Sequence, residues 1–302
     1  MITLNVNTSA HDTAGITNKY KKKSQSAEVW RRLRRNKAAM LGLVVAILLI
    51  LMAVFSSTLY DYETQVINQD IPNRLQPPSW AHPFGTDESG RDILARIVYG
   101  SRFSLSIGFS TVVFALTVGG TLGALAGYYG GWLDNILMRV MDIFLAIPGT
   151  LFAITLVAAL GQNTINLIIA LAISSVPGFA RILRSSVLSV REVEYVEAAR
   201  AIGATDSRII LQHVIPNSLA PVIVQSTLNV ATVILTIAGL SFLGLGVRPP
   251  QPEWGALLSS GRQYLRDYGY ITMFPGLAIM TTILALNLLG DGLRDALDPR
   301  LK

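Results

Sequence analysis

Apolar residues in this chain fall into long charge-free blocks separated by polar stretches. Residues 38–59 carry no charge and suffice for one crossing of a hydrocarbon layer about 30 Å thick, which takes about 20 helical residues. A mostly polar segment, 60–102, follows and is broken by Pro72, Pro77, Pro78 and Pro83. Residues 103–132 are again uncharged and contain a second span. The uncharged run 143–180 is too long for a single crossing, and Gly161-Gln162-Asn163-Thr164 divides it into a third and a fourth. Residues 219–243 and 271–289 supply the fifth and sixth. The pattern predicts an all-α integral membrane protein with six transmembrane helices.

Smaller features refine these blocks. Residues 93–99 read as a short amphipathic lead-in helix capped by Asp87 or Ser89, ahead of the second span. Gly119, Gly123 and Gly127 recur every fourth residue and present a smooth face for close helix packing, either within the chain or against a second subunit. Arg139 and Asp142 lie about one turn apart, a spacing that allows them to pair. Pro148 and Pro177 fall inside the third and fourth spans, where each frees a backbone carbonyl; the kinks fit a flexible pathway wall or simple packing equally well.

One soluble island interrupts the membrane pattern, Glu194 to Pro216. Ser189 followed by Glu192 has capping-box spacing, which predicts a helix over residues 190–202. Gly203 should stop it in a left-handed conformation, and Thr205 or Asp206 should cap a second short helix that ends before Pro216. Ala198, Ala199 and Ala201 leave one flank of the first helix almost without side chains, a shape suited to insertion into another protein's groove.

Composition agrees with the pattern: 51% of residues are hydrophobic and 15% charged, against about 25% charged in soluble proteins. Residues 1–26 are polar and aperiodic and are expected to lack structure, and the first apolar run starts too late and is too long for a secretory signal. Arg31, Arg32, Arg34, Arg35 and Lys37 form a basic collar before the first span, suited to anionic lipid headgroups rather than nucleic acid. With a cytosolic start, 18 of the 25 Lys and Arg fall on inner segments and seven outside, matching the positive-inside rule. Both termini and the island are therefore expected to be cytosolic. There is no cysteine, which removes disulfides and thiolate metal sites or nucleophiles.

The chemistry that is missing narrows the function further. No Gly-x-x-x-x-Gly-Lys loop exists, so the chain is not an ATPase. No charged residue falls in the central part of any expected span, which argues against an ion-coupled secondary transporter. His11, His82 and His213 lie outside the apolar cores and no His-Glu-x-x-His pair is present, which argues against an intramembrane hydrolase. A passive channel has no use for a cytosolic plug. No cofactor or metal site is expected.

Glu197-Ala198-Ala199, then Gly203 and Pro216, resembles the EAA motif of bacterial ABC importer permeases; the chain departs from the generic Ile and Leu at His213 and Ile215, on the return toward the membrane. Four stretches together (84–92, 197–216, 241–255 and 290–299) resemble the C-type permease subunit of the dipeptide, oligopeptide and nickel importer family. The resemblance covers the chain from about residue 29 onward. It implies one N-terminal helix beside a five-helix type I core: a cytosolic tail over 1–37, a first span over 38–60, an extracytoplasmic loop over 61–102, a core over 103–290 and a cytosolic tail over 291–302. It implies coupling helices within 189–216, with Glu194, Glu197, Ala198, Ala199, Gly203, Asp206 and Pro216 facing an ATPase. It also implies a B-type permease as heterodimer partner, two cytosolic ATPase subunits and an extracytoplasmic binding protein. The expected cargo is di- or oligopeptide, with nickel, glutathione or an opine as alternatives.

Overall fold

The structure is a computed structural model that describes residues 25–298. Residues 1–24 of the polar tail expected to lack structure, and residues 299–302, fall outside the described residues, while the last two residues of that tail, 25 and 26, open a helix.

The chain begins with a short amphipathic helix, α1 (Gln25–Leu33), whose Leu33 joins Ala39 and Ala296 in a small apolar cluster. Asn36 then caps the first span, α2 (Lys37–Leu59), its side chain accepting from the Ala39 amide at 3.1 Å. Only Ala39, Gly42, Ala46 and Ser56 of α2 are buried, so most of its apolar surface is left for lipid.

The next long helix, α3 (Ile93–Tyr129), absorbs both the lead-in helix and the second span. Its cap is Asp92, which accepts from the Ala95 amide at 2.8 Å, and not Asp87 or Ser89. Asp87 is occupied elsewhere: it accepts from the Ser89 and Arg91 amides and pairs with the Arg91 and Arg96 guanidinium groups.

Gly130 and Gly131, at φ 65° and 60°, turn α3 into α4 (Gly131–Leu145), a reversal that left-handed backbone makes cheap only for glycine. The third span is broken. Helix α4 and α5 (Gly149–Leu160) meet at 84°, and Pro148 sits at the break as the cap of α5 rather than inside a kinked helix. Proline lacks the amide needed to continue and pushes the preceding Ile147 away from helical backbone.

Helix α6 (Thr164–Val190) carries Pro177 in its interior and runs alongside α3 in the same direction. The glycine face of α3 packs on this neighbour: a Cβ at Gly123 would strike the Ala180 carbonyl, and one at Gly127 would lie 2.9 Å from the Arg184 carbonyl. The close packing is therefore internal to the chain. Asp142 pairs with Arg181 at 2.5 Å and not with Arg139, because an antiparallel neighbour offers a guanidinium that the local turn does not.

The island forms α7 (Glu194–Ala201) and α8 (Asp206–Ile209), and after it come the fifth span α9 (Ile215–Phe242), a short α10 (Trp254–Gly261) and the last span α11 (Tyr270–Leu297). Glycines again set the contact between α2 and α11, with Gly42 against the Ala285 carbonyl and Gly292 against Ala39. Among the described residues five helices are long and apolar enough to cross a membrane, six if the α4 and α5 pair counts as one. No strand occurs among the described residues, only one isolated bridge between Thr86 and Asp92.

The end remote from α7 is closed by buried polar side chains. Glu253 is 2% exposed and accepts from Ser104 Oγ, Ser241 Oγ and the Gly255 and Ala256 amides at 2.8–3.1 Å, tying α3, α9 and α10 together. The fully buried Trp254 donates its indole N–H to the Ile97 carbonyl at 2.9 Å.

Candidate coupling surface

The island is built as an anchored outcrop. Helix α6 ends at Val190 and a turn over residues 191–193 redirects the chain before α7 begins. The capping box therefore does not form. Ser189 belongs to α6 and donates to the Ser186 carbonyl at 2.8 Å, while α7 starts after Val193 with no side-chain cap. A serine whose hydroxyl is spent on its own helix cannot cap the next one.

The far end of α7 follows the sequence closely. Gly203 takes φ 83° and donates to the Arg200 carbonyl at 3.0 Å, and the Ala204 amide donates to the Ala199 carbonyl at 3.1 Å. Together these two bonds form a Schellman motif, closing orphan carbonyls at the helix end. Thr205 occupies the cap position of α8 without a side-chain bond. The second helix does not end before Pro216, however. A π-helical turn, Ile210–Val214, joins α8 to α9, with Pro216 near the start of the span. A proline inside a continuous helical path leaves a carbonyl one turn back without its usual amide, and the wider π turn just before Pro216 falls where that bond is lost.

Burial divides the outcrop into an anchored side and a free side. Val196, Ile209 and Val214 are fully buried and Ala199 nearly so. Tyr195, Glu197, Ala198 and Ala201 are exposed, and Ile202 at the tip is 86% exposed. Of the alanines expected to form the bare flank, Ala199 thus turns inward, and Ala198 and Ala201 remain outside. Glu194, Gly203, Asp206 and Pro216 are exposed. Asp206 also accepts from the Tyr128 hydroxyl at 2.6 Å, which fastens α8 to the end of α3. The Arg200 guanidinium is held above the usual arginine range, first by the adjoining Tyr128 hydroxyl and then by Asp206 and Glu197.

Several residues that hold this geometry were not singled out from sequence. Arg191 donates to the Gly127 carbonyl at 2.9 Å and the Tyr128 carbonyl at 3.3 Å, where the α3 dipole presents its negative end. Arg184 grips Asp134 with two bonds at 2.5 and 2.6 Å, and with Arg181 and Asp142 it ties α4 to α6. Those two aspartates lie inside a longer third helix than expected, toward its α7 end, so that span does contain charge. Their partners could be found only by knowing that α4 and α6 are neighbours.

Comparison with known proteins places this geometry. Residues 119–302 match the model for the "binding-protein-dependent transport system inner membrane component", and residues 24–78 match the "N-terminal TM domain of oligopeptide transport permease C". The chain is 50% identical to the dipeptide transport system permease protein DppC of Alkalihalophilus pseudofirmus over 91% of this chain and 90% of that one. It is 45% identical to the glutathione transport system permease protein GsiD of Pectobacterium atrosepticum, over 91% of each. The fold resembles that of a chain in an inward-facing structure of the MetNI methionine ABC transporter, with a TM-score of 0.54 at 20% identity over 68% of this chain and 98% of that one. A membrane bundle of this architecture is a type I ABC importer permease. The chain belongs to the family of binding-protein-dependent transport system inner membrane components, among its C-type permeases.

Proposed function

We propose that this permease carries di- and oligopeptides across the cytoplasmic membrane as half of a heterodimer with a B-type permease. Two separate ATPase subunits drive it and an extracytoplasmic binding protein delivers its cargo. In this reading both termini and the α7 outcrop are cytosolic, as the excess of Lys and Arg on those segments favours.

The observation that carries the coupling role is the division of the island into a buried root and an exposed tip. Val196 and Ile209 are 0% exposed, whereas Ile202 between them is 86% exposed. A helix rooted in the core transmits a push; a bare apolar tip gives the ATPase something to grip. The ATPase pair shifts the permease between outward-open and inward-open states only by binding one geometry of the outcrop better than the other. The dipeptide permease relative supports a peptide cargo, and the glutathione relatives favour a second reading, import of a modified tripeptide by the same path.

The test is uptake by the reconstituted complex. Glu197→Arg reverses a charge on the exposed face, and Gly203→Leu strains a φ of 83° where nothing lies within 4 Å of the added Cβ. Both variants should insert at normal abundance yet lose ATP-dependent uptake. Normal uptake in both would remove the coupling role from this helix. Measuring what the copurified binding protein binds separates the peptide reading from the glutathione one.

A further inference from the structure

Away from the outcrop, a cleft of about 630 Å³ lies between α1 and the last turns of α11, with Arg31, Arg32 and Arg35 from one side, Asp295 and Ala296 from the other, and Glu28 beside the arginines. Its three arginines outnumber its two carboxylates, Glu28 and Asp295, and the excess suits an anion, since a guanidinium fork matches phosphate oxygens and sheds water readily.

Arg32 has a structural assignment. It donates to Glu28 at 2.8 Å and to the Asp298 carbonyl at 3.2 Å, capping the end of α11. Arg31 reaches Glu28 only at 3.9 Å and is half exposed, and Arg35 has no acidic partner among the described residues. Two guanidiniums are thus available on the cleft wall, with exposed Arg34 and Lys37 close by in sequence.

The position of the cleft decides the source of the anion. It opens where α2 begins, at Lys37, which is the level at which an apolar span meets the headgroups. Helix α1 is short, basic on one face and apolar on the other, with Val29 and Leu33 packed toward Leu293 and Ala296. Its Trp30 is 50% exposed on a flank, as an aromatic at a membrane interface is. Such a helix lies in the interface plane.

We infer that the cleft between α1 and α11 is a binding site for the phosphodiester headgroup of an anionic phospholipid, held by Arg31 and Arg35. The bound lipid staples α1 to the end of α11. This stands whichever face of the membrane the cleft is on and whatever the transporter carries.

The full-length protein is placed in phosphatidylcholine nanodiscs with increasing phosphatidylglycerol, and amide hydrogen exchange is followed over residues 25–36. Phosphatidylglycerol should slow exchange in α1, and native mass spectrometry should find it retained in preference to phosphatidylcholine. Arg31→Gln with Arg35→Gln leaves the Arg32 cap intact and should weaken retention about fivefold per charge removed. Arg74→Gln, a control in the polar loop before α3, should change nothing. Equal retention by the double variant and the wild type would overturn the site. Slowing of exchange by inorganic phosphate alone, to the degree seen with phosphatidylglycerol, would overturn the lipid as its occupant.

Discussion

Glu253 shows how one side chain can organise an end of the bundle. Its two oxygens accept four bonds, from two serines and two amides, at 2.8–3.1 Å. An ionised carboxylate is acceptor-only and satisfies all four; an amide turns a donor toward two of them. Glu253→Gln should therefore lower stability by about 2–4 kcal/mol, read as a lower melting temperature of the purified protein in detergent. Ser104→Ala removes one donor to Glu253 and the acceptor of the buried Trp254 amide, and should cost about 1–3 kcal/mol. Equal melting of all three proteins would mean that the carboxylate is not a structural clamp. In sequence, Glu253 stood in a proline-rich loop with nothing to mark it as buried. Single residues were legible where the requirement was local, as at Gly203 with its φ of 83°. They were illegible where a distant helix supplied the partner, as for Asp134 and Arg184, 50 positions apart.

Among whole elements, the charge-free blocks located the membrane helices because lipid demands length and apolarity of each span separately. Boundaries failed for identifiable reasons. Asp92 outcompeted Asp87 as the cap of α3 because two arginines already hold Asp87. Pro148 broke a helix instead of kinking it, and a π turn carried the island past Pro216 into α9. The glycine pattern on α3 signalled close packing, but only the structure identifies α6 as the neighbour. That contact yields a paired prediction. A Cβ at Gly123 meets the backbone of Ala180, whereas one at Gly178 meets nothing within 4 Å. Gly123→Ala should force α3 and α6 apart at a cost of about 1–3 kcal/mol, and Gly178→Ala should be neutral or stabilise by about 0.5–1 kcal/mol through helix propensity. Melting curves of the two variants in one detergent check this. Matching curves would show that the glycine face has slack.

Across the whole molecule, the two ends differ in construction. One is locked by buried groups, Asp87 with Arg91 and Arg96, and Glu253 with Trp254 beside it. The other is tied by partly exposed ion pairs, Arg184 with Asp134 and Arg181 with Asp142, around an outcrop. The exposed Arg181 and Asp142 pair contributes little and rearranges cheaply, so motion driven from the α7 end meets less resistance at that pair than at the buried clamps of the opposite end. The proposed coupling requires that asymmetry to be oriented, with the outcrop on the side where ATPases act. The chain has no cysteine and can report this directly. Trp80 is 105% exposed in the loop between α2 and α3, and Ile202 is 86% exposed between α6 and α9. Helices α3 and α6 run in the same direction, so Trp80 before α3 and Ile202 after α6 lie on opposite faces of the membrane. A membrane-impermeant maleimide should label Trp80→Cys in intact cells and Ile202→Cys only after permeabilisation. Labelling of both in intact cells would show that α3 and α6 do not both span the membrane in the same direction. Reversed labelling would place the outcrop outside, beyond the reach of any cytosolic ATPase.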